Sequence, residues 1–109
     1  MINYQAGELV LVTFPFTSGP QAKKRAALVL LDTGDQDVVV ARITSQANVT
    51  PFDVPLADWH KAGLLLPSVV RLHKVATIEK TKIIRPLGLL EASDRQQVSS
   101  VLNRMFGAW

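Results

Sequence analysis

The chain has 109 residues, 48% of them apolar, a formal charge of +3 and no cysteine. That length fits one domain with one core, and the missing thiols exclude disulfides, thiolate-bound metals and a cysteine nucleophile. No apolar run approaches the ~18 residues of a membrane helix, and Met1–Gln5 lacks the basic and apolar regions of a signal peptide, so the expected setting is cytoplasmic with no membrane partner.

Glu8 to Phe14 is rich in β-branched residues, is too short for a helix and is ended by Pro15, which predicts a strand buried on both faces. Thr17 to Lys24 reads as a loop around Gly19-Pro20 that closes on Lys23-Lys24. Ala26–Leu31 predicts a second strand, Asp32-Thr33-Gly34-Asp35 a turn, and Val38–Thr44 a third strand. In that third strand the period of two assigns Val39, Ala41 and Ile43 to the core, with Val38, Val40, Arg42 and Thr44 on the opposite face. A polar loop leads to a short strand at Phe52–Pro55, and Leu56–Ala62 predicts a short helical turn stopped by Gly63. Ser68–His73 and Ile83–Leu89 complete the strands, Pro86 placing the last of them near an edge. Ser93 and Gln96 form a capping-box pattern, Val98, Val101, Leu102 and Met105 make one apolar helix face, and Gly107 supplies a stop. Five or six short strands followed by one helix, without βαβ alternation, predict a small antiparallel barrel or sandwich in a single domain over residues 1–109.

Several chemical signatures are missing: a Gly-rich phosphate loop, a His-x-x-x-His pair and a Gly-x-Ser-x-Gly elbow. The carboxylates stand singly in turns, so neither a metal site nor a cofactor is expected. What remains is suited to anions. Lys23-Lys24-Arg25 joins a loop to a strand, and an arginine fork there suits a phosphate; the alternative is a solvated charge run. Arg42 and Thr44 share a strand face that runs into Ser45-Gln46, a hydroxyl beside a guanidinium, with an ordinary strand end as the alternative. His60 and His73 are the only side chains that titrate near neutrality when unperturbed, and each reads equally as a surface histidine. Phe16, Phe52 and Trp59 are candidates for base stacking.

Taken together, several segments resemble the MazF/PemK family of type II toxins, in its PemK-like branch. They are Gly7-Glu8-Leu9-Val10-Leu11-Val12 with Phe14-Pro15-Phe16-Thr17, then Lys24-Arg25-Ala26-Ala27-Leu28-Val29-Leu30, and Ala41-Arg42-Ile43-Thr44-Ser45-Gln46. Gly63-Leu64-Leu65-Leu66-Pro67-Ser68-Val69-Val70, Ala76-Thr77-Ile78-Glu79-Lys80 and Leu87-Gly88-Leu89-Leu90 continue the match in order. The resemblance implies an SH3-like small antiparallel β-barrel with a C-terminal α-helix, working as a homodimer. It implies a metal-independent endoribonuclease that cuts single-stranded mRNA, restrained by a cognate antitoxin and touching operator DNA only together with that antitoxin. The family's catalytic arginine and threonine carry over to Arg25 and Thr44, and Ser45 and Gln46 to substrate contacts. Lys23, Lys24, Phe16, Thr17, Arg42 and His73 complete the candidate RNA contacts. The chain departs from the family at Ala26, where a proline is usual, at His73, where many relatives have an acid, and at Ala76, where some have a base. Two rivals remain: a non-catalytic nucleic-acid-binding barrel, and an SH3-type peptide module, which a 6% aromatic content disfavours.

Overall fold

The valine- and leucine-rich runs pair into one antiparallel sheet of six strands, in the spatial order Asp53–Pro55, Val69–Glu79, Asp37–Thr44, Lys23–Asp32, Glu8–Phe14 and Ile83–Leu89. The computed structural model describes residues 2–14, 23–47 and 49–107. The strands are β1 (Glu8–Phe14), β2 (Lys23–Asp32), β3 (Asp37–Thr44), β4 (Asp53–Pro55), β5 (Val69–Glu79) and β6 (Ile83–Leu89). One helix, α1 (Ala92–Phe106), follows the sheet. This is the expected class, mostly antiparallel β with a C-terminal helix. Among the described residues the ladder does not close β4 onto β6, and Pro86 lies on the edge strand β6, where its missing N–H costs least.

The sheet is apolar on both faces. Leu9, Leu28, Ala41, Ile43, Val70 and Leu72 pack with Val98 and Val101 of α1, while Val10, Val12, Ala27, Val29, Val40 and Ile78 form a second cluster. The alternation expected in β3 is therefore corrected: Val38 and Val40, assigned to the outer face, are fully buried in the second cluster. Bulges between Val29 and Leu31 on β2, and opposite Ala41–Arg42 on β5, bend the sheet so that both faces enclose a core. Each fully buried valine or leucine in these clusters contributes ~1.5–3 kcal/mol.

Three further expectations change. β2 begins at Lys23, so the basic triplet lies inside the strand rather than in a loop. β5 runs past His73 to Glu79, because Leu72, His73 and Lys74 bulge between Arg71↔Arg42 and Val75↔Ala41 and the β-branched residues beyond resume pairing. The capping box does not form: α1 starts at Ala92, its N-cap Glu91 makes no side-chain cap bond, and Ser93 is already helical. Buried Asp94 instead accepts the backbone N–H groups of Ala57 (2.8 Å) and Asp58 (2.9 Å), tying the helix to the segment before Gly63. That segment holds the single helical turn expected there, the Ala62 N–H donating to the Asp58 carbonyl four residues back at 3.1 Å, and it extends into no longer helix.

Two glycines fix where this turn meets the sheet. Gly63 has φ +96°, and a Cβ there would overlap the Leu87 carbonyl; a Cβ on Gly88 would overlap the Ala62 carbonyl. Only two residues without side chains allow the backbones of the turn and β6 to touch. The contact holds Leu64–Leu66 beside β6, where they form one wall of a groove.

Candidate functional site

β1 pairs with β2 down to Phe14↔Lys23, whereas the β2–β3 ladder stops at Ala27↔Arg42. Both strands run on beyond that last pair, β2 back to Lys23 and β3 forward to Thr44, and continuing the register by two residues sets Arg25 opposite Thr44. A groove of about 610 Å³ opens at this end of the sheet. Lys24, Arg25, Thr44, Ser45 and Gln46 line it from β2, β3 and the residues after β3, and Leu64, Leu65, Leu66 and Arg85 line it from the turn segment and β6. Leu11, Ala26, Ile43 and Leu87 line it between them.

The electrostatics are one-sided. Among the described residues three cations and no carboxylate line the groove, and Lys24, Arg25 and Arg85 have no ion pair. Thr44 is 8% exposed. Its Oγ1 accepts the Gln46 backbone N–H at 3.2 Å, which occupies an acceptor lone pair and leaves the hydroxyl proton to donate. A guanidinium and a hydroxyl donor therefore line one groove, and among the described residues neither has a hydrogen-bond acceptor, the arrangement that suits an oxyanion.

The structure brings together Lys24, Arg25, Thr44, Ser45 and Gln46 of the residues singled out from sequence. Lys23 is exposed at the start of β2, outside the groove lining. Phe16 and Thr17 lie outside the described residues. Arg42 and His73 stand apart from the groove, on a polar patch over β3, β5 and β4. There Arg71 pairs with Asp53 at 2.9 Å and its Nη2 lies 3.4 Å from His73 Nε2, while Phe52 meets the His73 ring at 5.5 Å between centroids. Burial works to raise the Asp53 carboxyl; the Thr50 hydroxyl, the Arg71 guanidinium and His73 outweigh it and hold it below the ordinary carboxylate range. Arg42 Nε and Asp53 Oδ2 are buried without partners. His60 packs edge-on against Trp59, so the two histidines sit in separate ring contacts and form no acid–base pair. Among the described residues no three acid or histidine side chains converge as metal ligands.

Sequence reasoning missed Arg85 and the leucine wall. A lone basic residue before Pro86 on a short strand carries no local signal; only the pairing of β6 with β1 brings it to the groove. Leu65 and Leu66 read as core by type, yet they are 91% and 59% exposed.

The fold and groove define a bent antiparallel β domain with a cleft that is cationic, and free of carboxylates, among the described residues. Residues 5–106 match the family of PemK-like, MazF-like toxins of type II toxin–antitoxin systems, and the chain belongs to that family. The crystal structure of MazE-MazF (Form-II) from Deinococcus radiodurans is similar over 100% of both chains, with a TM-score of 0.78 and 24% identity. Mycobacterium tuberculosis toxin MazF-mt6 is similar over 94% of this chain and 99% of its own, with a TM-score of 0.73 and 25% identity. An endoribonuclease in complex with its cognate antitoxin, from a mycobacterial species, is similar over 94% of both chains at a TM-score of 0.73 and 16% identity. These likenesses show the shared fold. No curated protein sequence matches the chain significantly.

Proposed function

We propose that this chain is an endoribonuclease that cleaves single-stranded RNA in the groove between Arg25 and Thr44. The observation that carries the reading is that Arg25, which has no ion pair among the described residues, and a hydroxyl donor line one cleft, where the described residues supply three cations and no carboxylate. Family membership and the likeness to proteins described as endoribonucleases support it.

The reaction is a transesterification. The RNA 2′-oxygen attacks the adjacent phosphorus, the P–O5′ bond breaks, and the products are a 2′,3′-cyclic phosphate and a 5′-hydroxyl. The nucleophile belongs to the substrate, so the step calls for neither a metal-bound water nor a protein nucleophile. Negative charge grows on the non-bridging oxygens, and Arg25 and Thr44 donate to them from fixed strand positions. An arginine stays charged in proteins, so Arg25 stabilises that charge and is not the base. Removing one such donor typically costs ~3–4 kcal/mol of transition-state stabilisation, or ~10²–10³ in rate.

The same groove accounts for the partners. An antitoxin segment with acidic and apolar side chains would meet the cations and the leucine wall together and exclude RNA. Pairing of two copies, and operator DNA binding only with the antitoxin attached, complete the reading. The test uses one RNA oligonucleotide, with and without EDTA, and its analogue carrying a single 2′-deoxy sugar at the cut site. Cleavage that persists in EDTA and vanishes in the deoxy analogue, while binding is retained, is expected. Cleavage of the deoxy analogue at the same position contradicts the mechanism.

A further inference from the structure

Strand register gives the groove a direction. Arg85 on β6 pairs with Leu11 on β1, and Leu11 pairs with Ala26 on β2. Residues paired across strands share a sheet face, so Arg85, Leu11 and Ala26 form a row at right angles to the strands, and Ile43 on β3 continues it. Neighbouring strands lie ~4.8 Å apart, which separates the backbone carrying Arg85 from β2 by about 10 Å and from β3 by about 14 Å. Side-chain alternation turns Arg25 and Thr44, each one residue from Ala26 or Ile43, to the opposite face, so a phosphate between them sits where the β2–β3 ladder has opened, beside the β3 end of this row, and Arg85 stands at its β6 end.

We propose that Arg85 grips a second phosphate of the same RNA strand, flanking the one held by Arg25 and Thr44, so that the RNA crosses the sheet from β3 towards β6. This rests on the reading of the groove as an RNA site. Three observations carry it. Arg85 lines the groove and is exposed, with no ion pair among the described residues. The row that leads from β3 to Arg85 is apolar, Leu11, Ala26 and Ile43, and among the described residues no acidic side chain lines the groove to interrupt an anionic strand. Leu65 and Leu66, 91% and 59% exposed, stand beside it, offering apolar surface to bases whose backbone follows the cations. A phosphate at each end and bases against leucine between them is the pattern of a single-strand track in which charge supplies affinity and apolar surface supplies position.

The experiment measures cleavage kinetics, and binding of the non-cleavable 2′-deoxy strand across a salt series, for the wild type, Arg85→Ala, Arg85→Lys and Thr44→Val. Each phosphate contact contributes ~0.7 to the slope of log K against log salt for single strands, so Arg85→Ala is expected to flatten the slope by about that amount. Loss of a charge-assisted hydrogen bond should weaken binding about tenfold at low salt, with the loss falling on KM. Arg85→Lys keeps the charge and should restore the slope. If Arg85→Ala binds with wild-type slope and affinity while Thr44→Val loses cleavage, the second phosphate contact is overturned and the RNA site stands. If Arg85→Ala lowers kcat with KM unchanged, Arg85 meets the reacting phosphate and the flanking contact is overturned. Wild-type protein that neither binds nor cleaves RNA overturns both readings.

Discussion

Strands β2 and β3 end in two contrasting ways. At the turn between them the carboxylates of Asp32 and Asp35 are used within the fold. Asp32 accepts the Tyr4 N–H at 2.6 Å, the Gly34 N–H at 2.7 Å and the Lys80 ammonium at 2.9 Å. Asp35 accepts the Thr33 hydroxyl and the Asp37 N–H. At the opposite end the ladder opens, and Lys24 and Arg25 have no ion pair among the described residues, while Thr44 keeps a hydroxyl proton to donate. The same hairpin thus carries a charged end satisfied within the fold and a charged end that calls for a ligand. Polar side chains of the first kind hold structure; those of the second kind point to function.

That contrast is most sharply tested by separating activity from stability. Arg25→Ala and Thr44→Val should each lower the RNA cleavage rate by ~10²–10³, with the melting temperature nearly unchanged in Arg25→Ala and lowered in Thr44→Val only by the ~1 kcal/mol of the lost Gln46 N–H bond. A large loss of stability in both would place these residues in the structural class instead.

Asp94 provides the next test. Asp94→Ala strands two backbone N–H groups, at Ala57 and Asp58, in a part-buried region. Each costs ~1–3 kcal/mol unpaired, so a total of ~2–6 kcal/mol and a drop in melting temperature of about 10 °C or more are expected. A melting temperature within a degree or two of wild type would show that water replaces the carboxylate.

The satisfied end of the hairpin gives the smallest effect, seen only in acid. The Tyr4 N–H first, then Lys80 and the Gly34 N–H, hold the Asp32 carboxyl at about 2. Unfolded, it titrates near ~3.9. A carboxylate with a depressed folded pKa stabilises fully above its unfolded value and loses that contribution as pH falls through its folded value. The stability gap between wild type and Asp32→Asn should therefore be constant above about pH 5 and narrow between about pH 4 and pH 2, as followed by acid unfolding. RNA cleavage at neutral pH should be the same in both proteins.

Much of this was legible in the sequence, and the failures share a cause. β1, β6 and the apolar face of α1 follow from local pattern, because each is specified by its own residues. Arg25 and Thr44 were legible through the segments around them, and their shared groove follows from the β2–β3 register. What was misread depends on partners distant in sequence. Val38 and Val40 are buried because the sheet bends, β5 continues because a bulge absorbs His73 and Lys74, and Ser93 does not cap because Asp94 is held by residues 57 and 58. Arg85 escaped notice for the same reason: its role is set by the strand beside it, not by its neighbours in the chain.

The most direct measurement is a double-mutant cycle on the single-turnover cleavage rate, with Arg25→Ala, Thr44→Val and the pair combined. Donors that act on one phosphate give strongly non-additive losses, so the double variant should be little slower than either single one. Full wild-type rates in both single variants, with the fold intact, would contradict the account.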